Sequence, residues 1–370
     1  MFRQRYQIKN LNLPLAGAVI ALGVLGVVFI NDADSSYTGK QLVGLIACLG
    51  LMFLFAAIDY NYILSYSNVL YIINLIMLLS VKLFGSSAGG AKRWINLGFT
   101  RIQPSEFTKI IMIIFVANYI QEHEEDFRQP KVLVKLLVLC VIPMFLVLSQ
   151  PDLSTTMDIA MILFAVIFVG GLNGKLIRNA VLILVPLMAV FLWYIQTPNQ
   201  ILLKEYQVTR IMTFVDPADY SDTTAYQQDN SVMAIGSGQL FGKGISHNTI
   251  SEVNVTDTGL VSEQQTDFIF SVVGEEVGFI GSVIVIALMG LLVVQCLIIG
   301  HRSKNMSGRL IAVGMAALIG FQSFINIGVA TEILPNTGLT LPFISYGLTS
   351  LLSCTIGMGI VLNIGLQRQY

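Results

Sequence analysis

The chain has 370 residues, 55% of them hydrophobic and 12% charged, about half the ~25% charged content of a soluble globular chain. A mean hydropathy of +0.74 and a net charge of −1 exclude a soluble enzyme, a disordered or fibrous chain and a nucleic-acid binder. One bilayer crossing takes ~20 apolar residues, so the composition supplies about ten, in an all-α polytopic protein with one integral membrane domain spanning 1–370. The apolar stretches are continuous rather than alternating, which rules out an outer-membrane barrel.

Arg3, Arg5 and Lys9 precede the first apolar run. That run is long enough to span and lacks an A-x-A site, so no cleavable signal peptide is expected. Ten spans follow, at 13–31, 41–58, 66–84, 106–121, 132–149, 154–172, 177–195, 276–300, 309–330 and 350–367. An even number puts both termini on one side. Placing them in the cytoplasm assigns 12 of the 21 Lys and Arg residues inward and clears the short loops of outward bias. Cys48, Cys140, Cys296 and Cys354 lie in apolar runs without metal or redox spacing, and His123, His247 and His301 are scattered.

Two segments break the short-loop pattern, and both face outward in this arrangement. Gly85–Ser105 contains GSSAGG followed by KRWINLGFTRIQPSE. The segment 196–266 is a large acidic extracytoplasmic loop carrying Arg210 and Lys243. Loops this long are either functional or solvated linkers. The glycines of AIGSGQLFGKG favour an ordered backbone.

Ionisable groups in or beside spans mark sites in membrane proteins. Glu106 and Lys109 share one helix face. They form either a local capped ion pair or a cation held at an outer vestibule. Asp152 in Gln150–Pro151–Asp152 caps the sixth span or serves a site, and Asp158 needs a partner or a wet cavity. Asp267 closes the acidic loop, before 33 residues (Phe268 to Gly300) that exceed one span. Phe268–Gly274 is therefore expected to dip in or lie at the interface, with Glu275 and Glu276 opening the eighth span. Between spans nine and ten, LPNTGLTLPFISYG cannot form a continuous helix, so a broken, re-entrant backbone is expected there. Cations, isolated carboxylates and broken backbone at one face suit an anionic amphiphile. These features alone do not separate an enzyme from a transporter.

GAKRWINLGFTRIQPSEFTKI, SQPDLSTT, AIGSGQLFGKG, QQTDFIFSVVGEEVG and LTLPFISYG occur in an order that resembles the SEDS family (shape, elongation, division and sporulation) over essentially the whole chain. Length and the short N-terminal tail look more like its rod-shape member than its division member. The resemblance implies a ten-helix peptidoglycan glycosyltransferase that polymerises lipid II at the outer face of the bacterial cytoplasmic membrane. It also implies a class B penicillin-binding protein as partner, with the elongation machinery and membrane lipids around it.

The family's essential aspartate maps onto Asp267. Its KRW and PSExxK motifs map onto Lys92, Arg93, Trp94, Glu106 and Lys109, and its QPD motif onto Asp152. The resemblance thus makes Asp267 the expected general base. Lys92, Arg93, Glu106, Lys109, Asp152, Arg210, Lys243 and Ser345 are the expected substrate-binding residues. No cofactor is established by these motifs; Mg²⁺ or Mn²⁺ is compatible with a diphosphate substrate. Where the family usually reads SYGG, Leu348 follows Gly347 here, which questions backbone freedom at that point. Small residues at Gly281, Ser282, Gly314, Ala316 and Ala317 suit either docking of a single-span partner or packing within the chain. A lipid II flippase and a division- or sporulation-type polymerase are the alternatives. A flippase needs polar groups along the whole path, whereas here they cluster at one half.

Overall fold

A computed structural model describes residues 11–88, 91–96, 98, 101–127, 129–172, 224–245 and 264–367, with isolated positions between 174 and 194. Nine of the ten expected spans are helices: α1 (Leu13–Ala33), α2 (Ser35–Ala57), α4 (Ser67–Phe84), α5 (Pro104–Glu122), α6 (Pro130–Leu148), α7 (Leu153–Val169), α9 (Ile269–His301), α10 (Met306–Ala330) and α11 (Leu348–Leu366). The span expected at 177–195 lies outside the described residues, apart from isolated positions. Two further helices are α3 (Tyr60–Ser65) and α8 (Thr224–Ser237). Among the described residues, seven helices are long and apolar enough to cross a membrane by length and composition. The protein is thus a multi-pass membrane protein.

Local chemistry sets the helix starts. Asn12 accepts from the Leu15 amide and Asp34 from the Ser36 amide, each satisfying an orphan donor at a helix N-terminus. Pro104 and Pro130 occupy the first turns of α5 and α6, where a missing N–H costs nothing. α9 packs against α1 and α10, α10 also against α5 and α7, and α11 against α2. Val43, Ile76, Phe145 and Phe279 are exposed, as apolar side chains facing lipid are.

At one end, a small antiparallel sheet joins β1 (Ser86–Ala88), β2 (Ala91–Asn96) and β3 (Arg101–Ile102) in the order β1-β2-β3. The segment between α10 and α11 has no helix, and Leu339, Leu341, Phe343, Ile344 and Ser345 in it are buried. This is the expected broken backbone. It is buried in protein, as such backbone must be at membrane depth. Leu348 opens α11 in helical geometry, and its side chain fills the notch left by Gly44 on α2. No glycine conformation is needed there.

α9 corrects the expected start of the eighth span. Its helix is interrupted at Gly278 (φ 63°, ψ −161°), so Glu275 and Glu276 sit buried in a first segment before the break. Residues 239–244 lie against this break. Lys243 N–H donates to the Glu275 carbonyl (2.9 Å), Gly244 N–H to the Glu276 carbonyl (3.0 Å) and Phe279 N–H to the Gln239 carbonyl (2.9 Å). A Cβ on Gly278 would meet the Gly242 backbone and lie 2.8 Å from the Leu240 and Phe241 carbonyl carbons. The glycines of AIGSGQLFGKG thus permit backbone-to-backbone contact.

Gly278→Ala is therefore expected to cost on the order of 3 kcal/mol. Gly290→Ala on the same helix meets nothing within 4 Å and should leave stability unchanged. Thermal midpoints of the two variants in detergent check this.

Candidate active site

The expected site residues that lie within the described part gather at the end of the bundle carrying the sheet and the re-entrant segment, in three linked groups. The first is built on β2 and the start of α7. The Arg93 guanidinium donates to the Pro151 carbonyl and lies 3.6 Å from the Asp152 carboxylate. Asp152 also caps α7 through the Thr155 amide (3.2 Å) and accepts from Gln103 Nε2 (3.3 Å). Lys92, next to Arg93, is exposed.

The second group lies inside the bundle. Lys109 Nζ is 2.9 Å from Glu106 Oε1 and 3.7 Å from Asp158 Oδ2, with the Lys109 and Asp158 side chains 0% exposed. Lys109 also donates to Gln322 Oε1 at 2.9 Å. Lys109 therefore faces inward rather than lining a vestibule, because two buried carboxylates hold it there. Asp158 finds in Lys109 the partner its depth requires.

The third group surrounds Asp267. Asp267 itself is half-buried, just before α9. The Ser345 hydroxyl donates to the Thr266 carbonyl (2.6 Å) and accepts from Leu341 N–H (2.7 Å). Ser345 is buried, so its contacts brace the Asp267 segment against the re-entrant one. Lys243 Nζ pairs at 2.9 Å with Glu275, whose side chain is 0% exposed. α8 docks on the end of α10 through Gln228, whose Nε2 donates to the Val329 and Leu334 carbonyls (3.0 and 2.9 Å), and through the Ser231 hydroxyl to the Ala330 carbonyl (2.8 Å). Beside it, burial and the neighbouring Asp229 push the Glu332 carboxyl above its ordinary range. Arg210 lies outside the described residues.

Two residues escaped the sequence reading. Gln322 Nε2 donates to the Thr340 carbonyl (2.8 Å), and Asn326 Nδ2 donates to the carbonyls of Asp267 and Leu339 (2.7 Å each). Their signal was a pair of amides at i, i+4 in a largely apolar stretch of helix, where unpaired polar groups are disfavoured. For the small residues, at least two of the five positions pack within the chain. A Cβ on Gly314 would lie within 3.0 Å of Ile113 and Val166 side-chain atoms and Ala316 is buried. Gly314 and Ala316 therefore pack within the chain.

The chain matches the family FTSW_RODA_SPOVE, described as "Cell cycle protein", over residues 9–370. It is a member of that family, the SEDS family. Among its relatives, the peptidoglycan glycosyltransferase MrdB of Escherichia coli K12 is 36% identical over 95% of this chain and 92% of its own length. The probable peptidoglycan glycosyltransferase FtsW of Bacillus subtilis is 32% identical over 98% and 92%. Two solved structures share the fold. The rod shape determining protein RodA of Thermus thermophilus has a TM-score of 0.70 at 28% identity, covering 100% of this chain and 99% of that one. A chain from a structure titled "Structural coordination of polymerization and crosslinking by a peptidoglycan synthase complex" reaches 0.79 at 28% identity, covering 98% of each.

Proposed function

We propose that this chain is a peptidoglycan glycosyltransferase that polymerises lipid II at the outer face of the bacterial cytoplasmic membrane, with both termini cytoplasmic. Membership of a family whose relatives MrdB and FtsW bear that activity in their names carries the reading. A class B penicillin-binding protein is its partner, a reading supported by the likeness to a chain of a peptidoglycan synthase complex.

In the reaction, a sugar hydroxyl attacks the anomeric carbon of a second sugar that bears a lipid diphosphate. Asp267, half-buried at the site end, takes the hydroxyl proton as general base. The C–O bond to the diphosphate breaks as the new glycosidic bond forms on the opposite face, inverting the anomeric centre. Negative charge then develops on the leaving diphosphate, where fixed cations stabilise it. Lys92 and Arg93 are proposed for this, Lys92 exposed and Arg93 22% exposed. Arg210 is proposed for the same role as one of the few cations in the acidic loop 196–266. Glu106, Lys109, Asp152, Lys243 and Ser345 act by holding the segments that form the site. Among the described residues no group of three His, Cys, Asp or Glu side chains is placed to hold a metal ion.

Purified chain in nanodiscs, given fluorescent lipid II, should yield glycan strands resolvable on gels, more so with the partner present. Lipid II translocation in sealed vesicles without strand formation would instead establish a flippase.

A further inference from the structure

The backbone leading into Asp267 is held by an unusual set of donors. Three successive carbonyls each accept from a different group. Gln265 accepts from Tyr346 N–H (2.8 Å), Thr266 from the Ser345 hydroxyl (2.6 Å) and Asp267 from Asn326 Nδ2 (2.7 Å). Two of these donors belong to the re-entrant segment. The third, Asn326, stands on α10, is 1% exposed, and uses the same amide nitrogen to hold the Leu339 carbonyl at 2.7 Å. An amide has two N–H bonds on one nitrogen, so it bridges two carbonyls. A hydroxyl has one and an apolar side chain has none.

One turn away on α10, Gln322 holds the Thr340 carbonyl (2.8 Å) and accepts from Lys109 (2.9 Å). The two amides thus fix adjacent residues, Leu339 and Thr340. Through hydrogen bonds on either side of the Leu339–Thr340 peptide, they join the Glu106–Lys109–Asp158 cluster to the main chain of Asp267.

We propose that Asn326 is a positioning residue for glycosyl transfer, setting the place of the Asp267 carboxyl by pinning the Asp267 main chain to Leu339. The proposal rests on the reading of Asp267 as general base. Asp267 stands just before α9, which begins at Ile269, and Phe268 caps that helix with no side-chain hydrogen bond. The Asn326 contact to its carbonyl therefore joins the Tyr346 and Ser345 contacts in placing its backbone. A carboxylate displaced by about 1 Å from the attacking hydroxyl loses on the order of 100-fold in rate. Binding of the lipid-linked substrate draws on other groups and is not affected.

The test compares Asn326→Leu, which keeps the shape without donors, and Asn326→Ser, which keeps one donor, with wild-type chain in nanodiscs. Turnover on saturating lipid II, the Kd for labelled lipid II and the thermal midpoint are measured together. Asn326→Leu is expected to lose about 100-fold in kcat, and Asn326→Ser less, with Kd within about threefold of wild type. Wild-type turnover in Asn326→Leu would overturn the proposal. So would a rise in Kd that matches the fall in turnover, which marks a structural role. If Asn326→Leu does not insert, Asn326→Ser is read by the same criteria. Asp267→Asn in the same series separates the two claims. If it is inactive while Asn326→Leu is active, only the positioning role falls; if it is active, the general-base reading falls.

Discussion

Lys109→Met is expected to destabilise the fold severely. In the native chain, one ammonium faces the carboxylates of Glu106 at 2.9 Å and Asp158 at 3.7 Å, with the ammonium and Asp158 side chains fully buried. Removing it leaves two carboxylates without a counter-charge in a low-dielectric interior. Breaking a buried pair this way costs about 3–5 kcal/mol, against a total stability of about 5–15 kcal/mol for a typical domain. It also frees Gln322, the link to Thr340. The measurement is the yield of monodisperse protein after detergent extraction, with its thermal midpoint. The triple variant Lys109→Met, Glu106→Gln, Asp158→Asn removes all three charges together and should restore much of that yield. Lys109→Arg should rescue only in part, since a planar guanidinium does not fit a pocket shaped around an ammonium. A monodisperse Lys109→Met protein with the wild-type midpoint would contradict this account of the cluster.

The same cluster shows how far the sequence could be read. Helix existence was legible, because each crossing is an apolar run and nine such runs are helices here. So was the broken backbone between α10 and α11, since Pro335, Gly338, Pro342 and Gly347 exclude a continuous helix. The break within α9 was legible as excess length but not in its position. Its place at Gly278 depends on the backbone of residues 239–244, which approaches from elsewhere in the chain.

Partners were less legible than elements. The i, i+3 spacing of Glu106 and Lys109 gave their contact, but the tertiary contact with Asp158 decides that Lys109 faces inward. Lys243 likewise gave no sign of pairing with Glu275, 32 positions away in the chain. The roles of Asn326 and Gln322 were not legible, because a pair of amides in an apolar run does not indicate which carbonyls they will meet. Asp267 was legible through its motif and through its place before an over-long apolar segment.

Asp267→Asn is expected to have the largest effect on activity. The substitution keeps size and shape, and the Asp267 main-chain carbonyl still accepts from Asn326. It removes the basicity needed to take the hydroxyl proton. General acid–base groups contribute about 10²–10⁴-fold, so strand synthesis should fall by at least about 100-fold. Expression, membrane insertion and lipid II binding should stay near wild type, since the side chain is half-buried and its backbone contacts are retained.

The most direct measurement is single-turnover polymerisation of fluorescent lipid II by wild-type and Asp267→Asn chains in matched nanodiscs, with lipid II binding recorded in the same samples. The predicted result is bound substrate and no glycan strands from Asp267→Asn. Strands formed by that variant at the wild-type rate would contradict the assignment of Asp267 as the general base.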